Sequence, residues 1–212
     1  MQSRFSFRKR IFMKKRTTSR ASFVAAAALV ASSTAFAGLG DVPSGSYSVD
    51  ATHAYIDFSY NHLGLSRPSL SFDDFTIDLE FDSENPTDSS VSVVVEAESI
   101  EAGSEVWQEH LSGVDFFDMV KYPEITFKST SIESVGDNNY SVTGELTIKD
   151  VTRPLTLDVT INDAMSHPMT GNPVIGFDAT GSLLRSEFGM DKFTPAVGDE
   201  VQINISAELL AN

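Results

Sequence analysis

The chain has 212 residues and no cysteine, and its 30 acidic residues outnumber 15 basic ones, which gives a net charge of −15. Without cysteine there are no disulfides and no thiolate metal ligands, so stability must come from an apolar core. The negative charge argues against binding to nucleic acid or to anionic lipid surfaces.

The first 37 residues predict a secretory signal peptide. They hold eight basic residues and no acidic one, and they end in the apolar run ASFVAAAALVASSTAFA. This run is shorter than the roughly 20 apolar residues that span a bilayer, and its last three residues resemble a cleavage site. We expect cleavage after Ala37 and a periplasmic location, with translation starting at Met1 or at Met13.

Cleavage would leave one domain, residues 38–212, in which seven basic residues remain against 30 acidic ones, a net charge of −23. Its alternating apolar and polar residues predict antiparallel strands that each have one apolar face. In chain order the predicted strands are residues 47–50, 55–62, 70–81, 91–99, 124–135, 140–150, 155–161, 175–185 and 201–209. The segment 70–81 changes phase after Phe72, which predicts a bulge or kink near Asp73 and Asp74.

Residues 104–120, SEVWQEHLSGVDFFDMV, show the helical periodicity that the strands lack. Ser104 is suited to the N-cap position, and Val106, Trp107 and Leu111 follow at helical spacing. The sequence therefore predicts a short helix that leads into the apolar connector DFFDMVKYP, residues 115–123.

About eight one-sided strands with so little helix to cover them must bury their apolar faces against one another, as in a barrel or a sandwich. The length of the strands favours an eight-stranded antiparallel barrel. Small residues recur on the inward faces, among them Gly144 and Gly181, and they either leave room for a ligand or relieve strand curvature. The same pattern thus permits a cavity or a packed core.

Patterns that indicate catalysis or metal binding are sparse. The four histidines lack the spacing of metal ligands, and no nucleophile motif or glycine-rich phosphate loop is present. We therefore predict no catalytic residue, no metal and no cofactor.

Apolar and aromatic residues on the inward faces predict an interior suited to a long hydrocarbon chain. The residues predicted to line it are Ile56, Phe58, Tyr60, Phe75, Ile77, Phe127, Leu146, Phe177 and Leu183. A lid over one end of the barrel is predicted from the helix and the connector, with Trp107, Leu111, Phe116, Phe117 and Met119 as its contacts. The alternative interpretation is a plug that simply closes the core.

Four longer motifs resemble the YceI family of periplasmic polyisoprenoid-binding proteins. They are DATHAYIDFSYNHLGLS (50–66), EHLSGVDFFDMVKYPEITFKST (109–130), YSVTGELTIKDVTRPLTLDV (140–159) and GFDATGSLLRSEFGMDKFTPAVGDEVQINISAEL (176–209). The resemblance covers nearly all of the domain in the same order. It implies a lipocalin-like eight-stranded barrel with one isoprenoid or similar lipid in its interior.

Further contacts follow from these motifs. Phe188 and Met190, in RSEFGM, are predicted at the opposite rim, and Arg185 is expected to pair with Glu187 or with a ligand head. Arg153 is read as a surface charge in a tight connection or as a headgroup contact. His53 and His110 match family positions. Each is predicted to be either a buried histidine held by hydrogen bonds or a contact to the ligand at the mouth of the barrel.

The chain also departs from the family pattern. Many members carry an arginine shortly before the His-Leu pair, where this chain has Val106-Trp107-Gln108-Glu109. The departure favours a neutral, quinone-like head or a plain tail over a diphosphate.

Three functions remain open on the sequence. The first is a carrier that holds a polyisoprenoid or quinone-like lipid for transport, storage or stress protection, without stable membrane insertion and with homodimer formation undecided. The second is a secreted enzyme acting on a small apolar substrate. The third is a stress or adhesion module whose barrel is packed and holds no ligand.

Overall fold

A computed structural model describes residues 39–212, in which ten strands and one α-helix follow one another along the chain. They are β1 (Gly45–His62), β2 (Ser69–Phe72), β3 (Phe75–Phe81), β4 (Ser90–Glu96), β5 (Ile100–Glu101), α1 (Glu105–Ser112), β6 (Glu124–Gly136), β7 (Asn139–Ile148), β8 (Val151–Ser166), β9 (Pro173–Leu184) and β10 (Val197–Ala211). The predicted signal peptide and its cleavage site lie outside the described residues.

The strands form one antiparallel sheet that closes on itself. Around the barrel the order is β1, β3, β4, β6, β7, β8, β9 and β10, and β10 pairs again with β1. β1 pairs first with β3 and then with β2, so β2 continues the interrupted strand β3. β5 pairs with β2 and in the same way continues the interrupted strand β4. The predicted eight-stranded antiparallel barrel is confirmed.

Two neighbouring strands are interrupted at the same level. The predicted kink lies at Asp73 and Asp74, between β2 and β3, and a 3-10 turn at Ala97–Ser99 separates β4 from β5. The N–H of Asp73 donates to the Ser99 carbonyl at 3.1 Å, and the N–H of Glu96 donates to the Asp74 carbonyl at 3.0 Å. Backbone hydrogen bonds therefore continue across both breaks, and the sheet changes direction without losing its pairing.

The connection between β7 and β8 differs from the prediction. Residues 152–154 lie inside β8, with Pro154 opposite Glu145, and the turn consists of Lys149 and Asp150. Because β9 pairs with β8 only from Asp158 onward, Pro154 has a partner strand on one side alone. A proline lacks the N–H that a central strand needs, and it is tolerated at such an edge position.

The helix is shorter than predicted, because Gly113 ends it after eight residues. Ser104 occupies the N-cap position without a side-chain capping bond, and its carbonyl accepts from the N–H of Gln108 at 2.9 Å. Leu111 is buried, whereas Val106 is 66% exposed.

A compact apolar cluster closes the end of the barrel where β1 begins and β10 ends. It includes Val42, Tyr47, Ile77 and Leu209. Tyr47 is buried, its ring meets Phe81 edge-on at 5.9 Å, and its hydroxyl donates to the Pro43 carbonyl at 2.7 Å. Residues 42–47 are thereby fixed against the barrel, and this end is called the closed end below.

We predict that Tyr47→Phe lowers the free energy of unfolding by about 1 kcal/mol, because the hydrogen bond from the Tyr47 hydroxyl to the Pro43 carbonyl is lost while the packing is kept. Urea unfolding measures the change. Tyr55→Phe is the matched control, since Tyr55 is 60% exposed, and it should leave stability unchanged. Equal losses in the two variants would contradict the role of the Tyr47 hydroxyl.

Candidate functional site

The barrel interior holds a cavity of about 470 Å³ at the end opposite the closed end. Its wall is mostly aliphatic and aromatic, and its polar or charged members are Tyr60, His62, Thr126, Arg185 and Lys192. Within residues 39–212, no buried side-chain nitrogen or oxygen lacks a hydrogen-bond partner. The wall therefore offers a bound molecule apolar surface and no buried polar atom in need of a partner.

Most of the predicted contacts lie on this wall. They are Ile56, Phe58, Tyr60, Trp107, Leu111, Phe116, Phe117, Phe127, Leu146, Leu183 and Met190, together with Arg185. They come from four strands, the helix and two connections, so only the closed barrel brings them together.

Five predicted contacts lie elsewhere. Ile77 and Phe177 line a second cavity of about 110 Å³, nearer the closed end, and Phe127 lines both cavities. Met119 and Phe188 are buried behind the wall, and Phe75 packs against the core without lining either cavity. These last three support the wall rather than form it.

The connector between α1 and β6 folds its aromatic residues over the cavity. Phe116 meets the Trp107 ring at 5.5 Å, and Phe117 meets Phe72 at 6.0 Å, both edge-on. The N–H of Phe117 donates to the Leu111 carbonyl at 3.1 Å, which ties the connector back to the helix. Helix and connector together thus cover part of the cavity with aromatic surface, and whether that surface touches a ligand stays a prediction.

The cavity reaches solvent beside the loop of residues 189–196. Lys192 and Phe193 in this loop are exposed, and both line the cavity. His62 and Pro68, at the neighbouring β1–β2 turn, are half-buried and also line it. The N–H of Leu63 donates to the Ala196 carbonyl at 3.2 Å, and Lys192 forms an ion pair with Asp115 of the connector. We call this end of the cavity the opening.

Arg185 organises the loop at the opening. Its guanidinium donates to the carbonyls of Met190, Val197 and Gly198, the last two at 3.1 and 2.9 Å. The expected pair with Glu187 is not among its hydrogen bonds. Burial lowers the pKa of Arg185, although Asp199, Tyr60 and Asp191 nearby act in the opposite direction. Its main contacts are thus structural, and a role toward a ligand head stays a prediction.

The other predicted headgroup contacts lie outside the cavity. His110 is exposed on α1, and Arg153 is exposed and donates to the carbonyl of its neighbour Thr152. His53 is also exposed, with Nδ1 3.0 Å from Asp50 Oδ2. The expectation that His53 and His110 are buried is wrong, since both lie on outward-facing surface of the barrel or the helix.

Asp50, His53 and Glu208 form a group of side chains of the kind that can bind a metal ion. One nitrogen or oxygen atom from each lies within 4.8 Å of the others. Hydrogen bonds to His53 and Thr52 lower the pKa of Asp50 to about 2. The hydrogen bond to Asp50, and more weakly the charges of Glu208 and Asp50, raise the pKa of His53 above its ordinary value. The irregular stretch of β1 between Val49 and Ala54 brings these groups together.

Several wall residues escaped the sequence-based site prediction. Ile203 and Ile205 were on the apolar face predicted for β10, so the alternation of that strand could have marked them. Phe72 lies just before the predicted kink. Lys192 and Phe193 sit in a loop with no regular pattern, and the sequence carries no signal for them.

A closed eight-stranded antiparallel barrel around an apolar cavity defines the lipocalin-like class of β-barrels. The profile of the YceI-like domain matches residues 47–209. The chain belongs to the YceI family.

Similar proteins span almost the same domain. A UPF0312 protein of Pseudomonas putida is 34% identical over 183 residues, which cover 85% of this chain and 94% of that protein. The crystal structure of BcnA from Burkholderia cenocepacia is 28% identical with a TM-score of 0.68, and the match covers 77% of this chain and 99% of BcnA. A polyisoprenoid-binding domain from Saccharophagus degradans shares the fold at 13% identity, with a TM-score of 0.61 and coverage of 78% and 98%.

No helix within residues 39–212 is long and apolar enough to cross a membrane.

We predict that Asp50→Asn lowers the pKa of His53 toward the ordinary value of about 6.5, because the imidazolium loses its hydrogen-bonded carboxylate. A titration of the His53 ring followed by NMR measures it. Because folding raises this pKa, the pair stabilises the fold below about pH 6.5, and that contribution is lost as the pH rises through the raised pKa. A His53 pKa that is the same in Asp50→Asn as in the unaltered protein would contradict the pairing. Glu208→Gln should lower the His53 pKa by a smaller amount.

We predict that Arg185→Met lowers the free energy of unfolding by about 3 kcal/mol, because three carbonyls lose a charged donor while the apolar stem is kept. Urea unfolding measures the loss, and amide exchange should become faster in residues 189–198. Arg153→Met is the matched control at an exposed arginine and should change stability by less than about 0.5 kcal/mol. Unchanged exchange in that loop would show that Arg185 does not hold it.

Proposed function

We propose that the protein is a periplasmic lipid-binding protein that holds one isoprenoid or quinone-like chain in the larger cavity. The observation that carries the proposal is the apolar cavity of about 470 Å³ inside a closed barrel. Membership of the YceI family and the fold shared with the polyisoprenoid-binding domain of Saccharophagus degradans support it. The basic and apolar N-terminal sequence supports the periplasmic location.

Burial of the chain supplies the affinity. Transfer of hydrocarbon from water yields about 0.8 kcal/mol per CH₂, so ten buried carbons yield roughly 8 kcal/mol before the loss of motional freedom is subtracted. Such binding needs no charged contact. The aromatic surface of Trp107, Phe116 and Phe117 then shields the part of the chain nearest the helix.

The cations near the cavity favour a neutral head over a diphosphate. Lys192 at the opening forms an ion pair with Asp115, and the guanidinium of Arg185 donates hydrogen bonds to three backbone carbonyls. Phosphate recognition usually relies on arginine or lysine that is free to bind it. A quinone-like ring or an alcohol needs only a few hydrogen bonds, which the hydroxyl of Tyr60 can provide at the wall.

The polar wall residues favour binding over catalysis. Within residues 39–212, no side-chain hydrogen bond joins any two of Tyr60, His62, Thr126, Arg185 and Lys192. A nucleophile and its base lie within hydrogen-bond reach of each other in most hydrolytic sites. The arrangement therefore supports a carrier or reservoir, with transport, storage or protection of the lipid as its role.

The direct test is native mass spectrometry of the protein purified from its periplasm, followed by organic extraction and identification of the extract. We expect an additional mass that the extraction removes and that belongs to a neutral isoprenoid. A protein that carries no lipid and that does not bind added isoprenoid alcohols or quinones would overturn the proposal.

We predict that Leu146→Asp lowers the affinity for such a lipid roughly a hundredfold, because a carboxylate on the wall must be desolvated by the chain. The single tryptophan of the sequence, Trp107, lies on the wall, so its fluorescence reports binding. Glu145→Ala is the matched control on the outward face of the same strand and should bind like the unaltered protein.

Circular dichroism establishes that each variant is folded. Should Leu146→Asp fail to fold, Ile203→Asn places a polar group at a half-buried wall position of β10 with less disturbance of the core. A folded wall variant with undiminished affinity would show that the chain lies outside this cavity.

A further inference from the structure

The two cavities of the barrel share part of their lining. Four residues line both of them, namely Val93, Phe127, Leu157 and Ile205, and we call these four the partition. Phe127 and Leu157 are 6% and 8% exposed and project from β6 and β8, the two strands that flank β7. A chain that enters through the opening meets the partition before it can reach the smaller cavity.

Two glycines hold the partition in place. A Cβ built on Gly144 of β7 would lie 2.6 Å from Cε2 of Phe127 and 2.5 Å from the Lys128 carbonyl oxygen. A Cβ on Gly181 of β9 would lie 2.7 Å from Cδ2 of Leu157. Neither glycine has a positive φ, so close approach, and not backbone conformation, requires it. The space that these glycines provide is filled by Phe127 and Leu157.

The smaller cavity continues the larger one along the barrel toward the closed end. Ile77 and Phe177 belong to its lining, and Pro86 and Ser89 mark its far side. It is as apolar as the larger cavity and offers space for hydrocarbon alone. Removal of the partition would therefore join two apolar spaces into one longer space.

We infer that the partition sets the chain length of the bound lipid, and that the smaller cavity is a subsite for the chain end which Phe127 and Leu157 keep separate. The inference rests on the proposed function. The larger cavity is bounded at the partition and therefore holds a chain of limited length. Longer chains gain no further contact inside the barrel and extend through the opening.

The test is the dependence of affinity on chain length. Geraniol, farnesol, geranylgeraniol and solanesol share one head and differ in the number of isoprene units, and the fluorescence of Trp107 follows their binding. For the unaltered protein we expect affinity to rise with chain length and then to level off within this series. For Phe127→Ala we expect the affinity to rise by at least roughly a further tenfold beyond that chain length, because the chain end now enters the smaller cavity.

Phe72→Ala is the matched control. Phe72 is as buried as Phe127 and lines only the larger cavity, so its loss adds space without joining the two cavities. It should shift the affinity of all chains together. Leu157→Ala opens the partition from β8 and replaces Phe127→Ala if that variant fails to fold.

A second substitution reverses the effect. Ala179 lines the smaller cavity, so Phe127→Ala combined with Ala179→Val fills part of the joined space and should restore the original dependence on chain length. Affinities that level off at the same chain length in the unaltered protein and in a folded Phe127→Ala variant would overturn the inference and leave the proposed function intact. If the unaltered protein binds none of the four alcohols, nor any quinone, the proposed function itself fails.

Discussion

The pairing of β1 with β10 is the constraint on which the rest of the molecule depends. It runs from Tyr47 opposite Ala211 to His62 opposite Val197 and closes the sheet on itself. Once the sheet is closed, all inward side chains share one interior of fixed size, and their summed volume decides how much space remains. In this chain the side chains leave about 470 and 110 Å³. The strands therefore determine the size of the barrel, and individual side chains such as Phe127 determine the shape of its interior.

The polar chemistry of the domain is kept away from that interior. Asp50 and His53 are hydrogen-bonded to each other on the outer surface, Lys192 and Asp115 join the connector to the loop at the opening, and Arg185 holds that loop through its carbonyls. Each of these groups is satisfied by protein atoms. A molecule inside the barrel therefore contacts mainly hydrocarbon surface. Selectivity must then depend on the length and shape of that molecule more than on its charge.

The sequence predicted the barrel because period-two alternation is a local signal that closure does not alter. The kink at Asp73 and Asp74 was visible as a change of phase, and residues such as Leu146 were assigned to the interior from the same alternation. The loop containing Lys192 has no period, so its place on the wall depends on backbone contacts that only the folded chain makes. The roles of Gly144 and Gly181 were likewise undecided, because a glycine in a strand shows nothing about which neighbouring side chain approaches it.

The position of the C-terminal strand has a practical consequence. β1 begins and β10 ends at the closed end, with Tyr47 beside Ala211, while the opening lies at the far end of both strands. A tether fused after Asn212 would hold the molecule on a bead or an electrode with its opening turned toward the liquid. Immobilised barrels would then exchange hydrophobic guests with the medium as freely as barrels in solution.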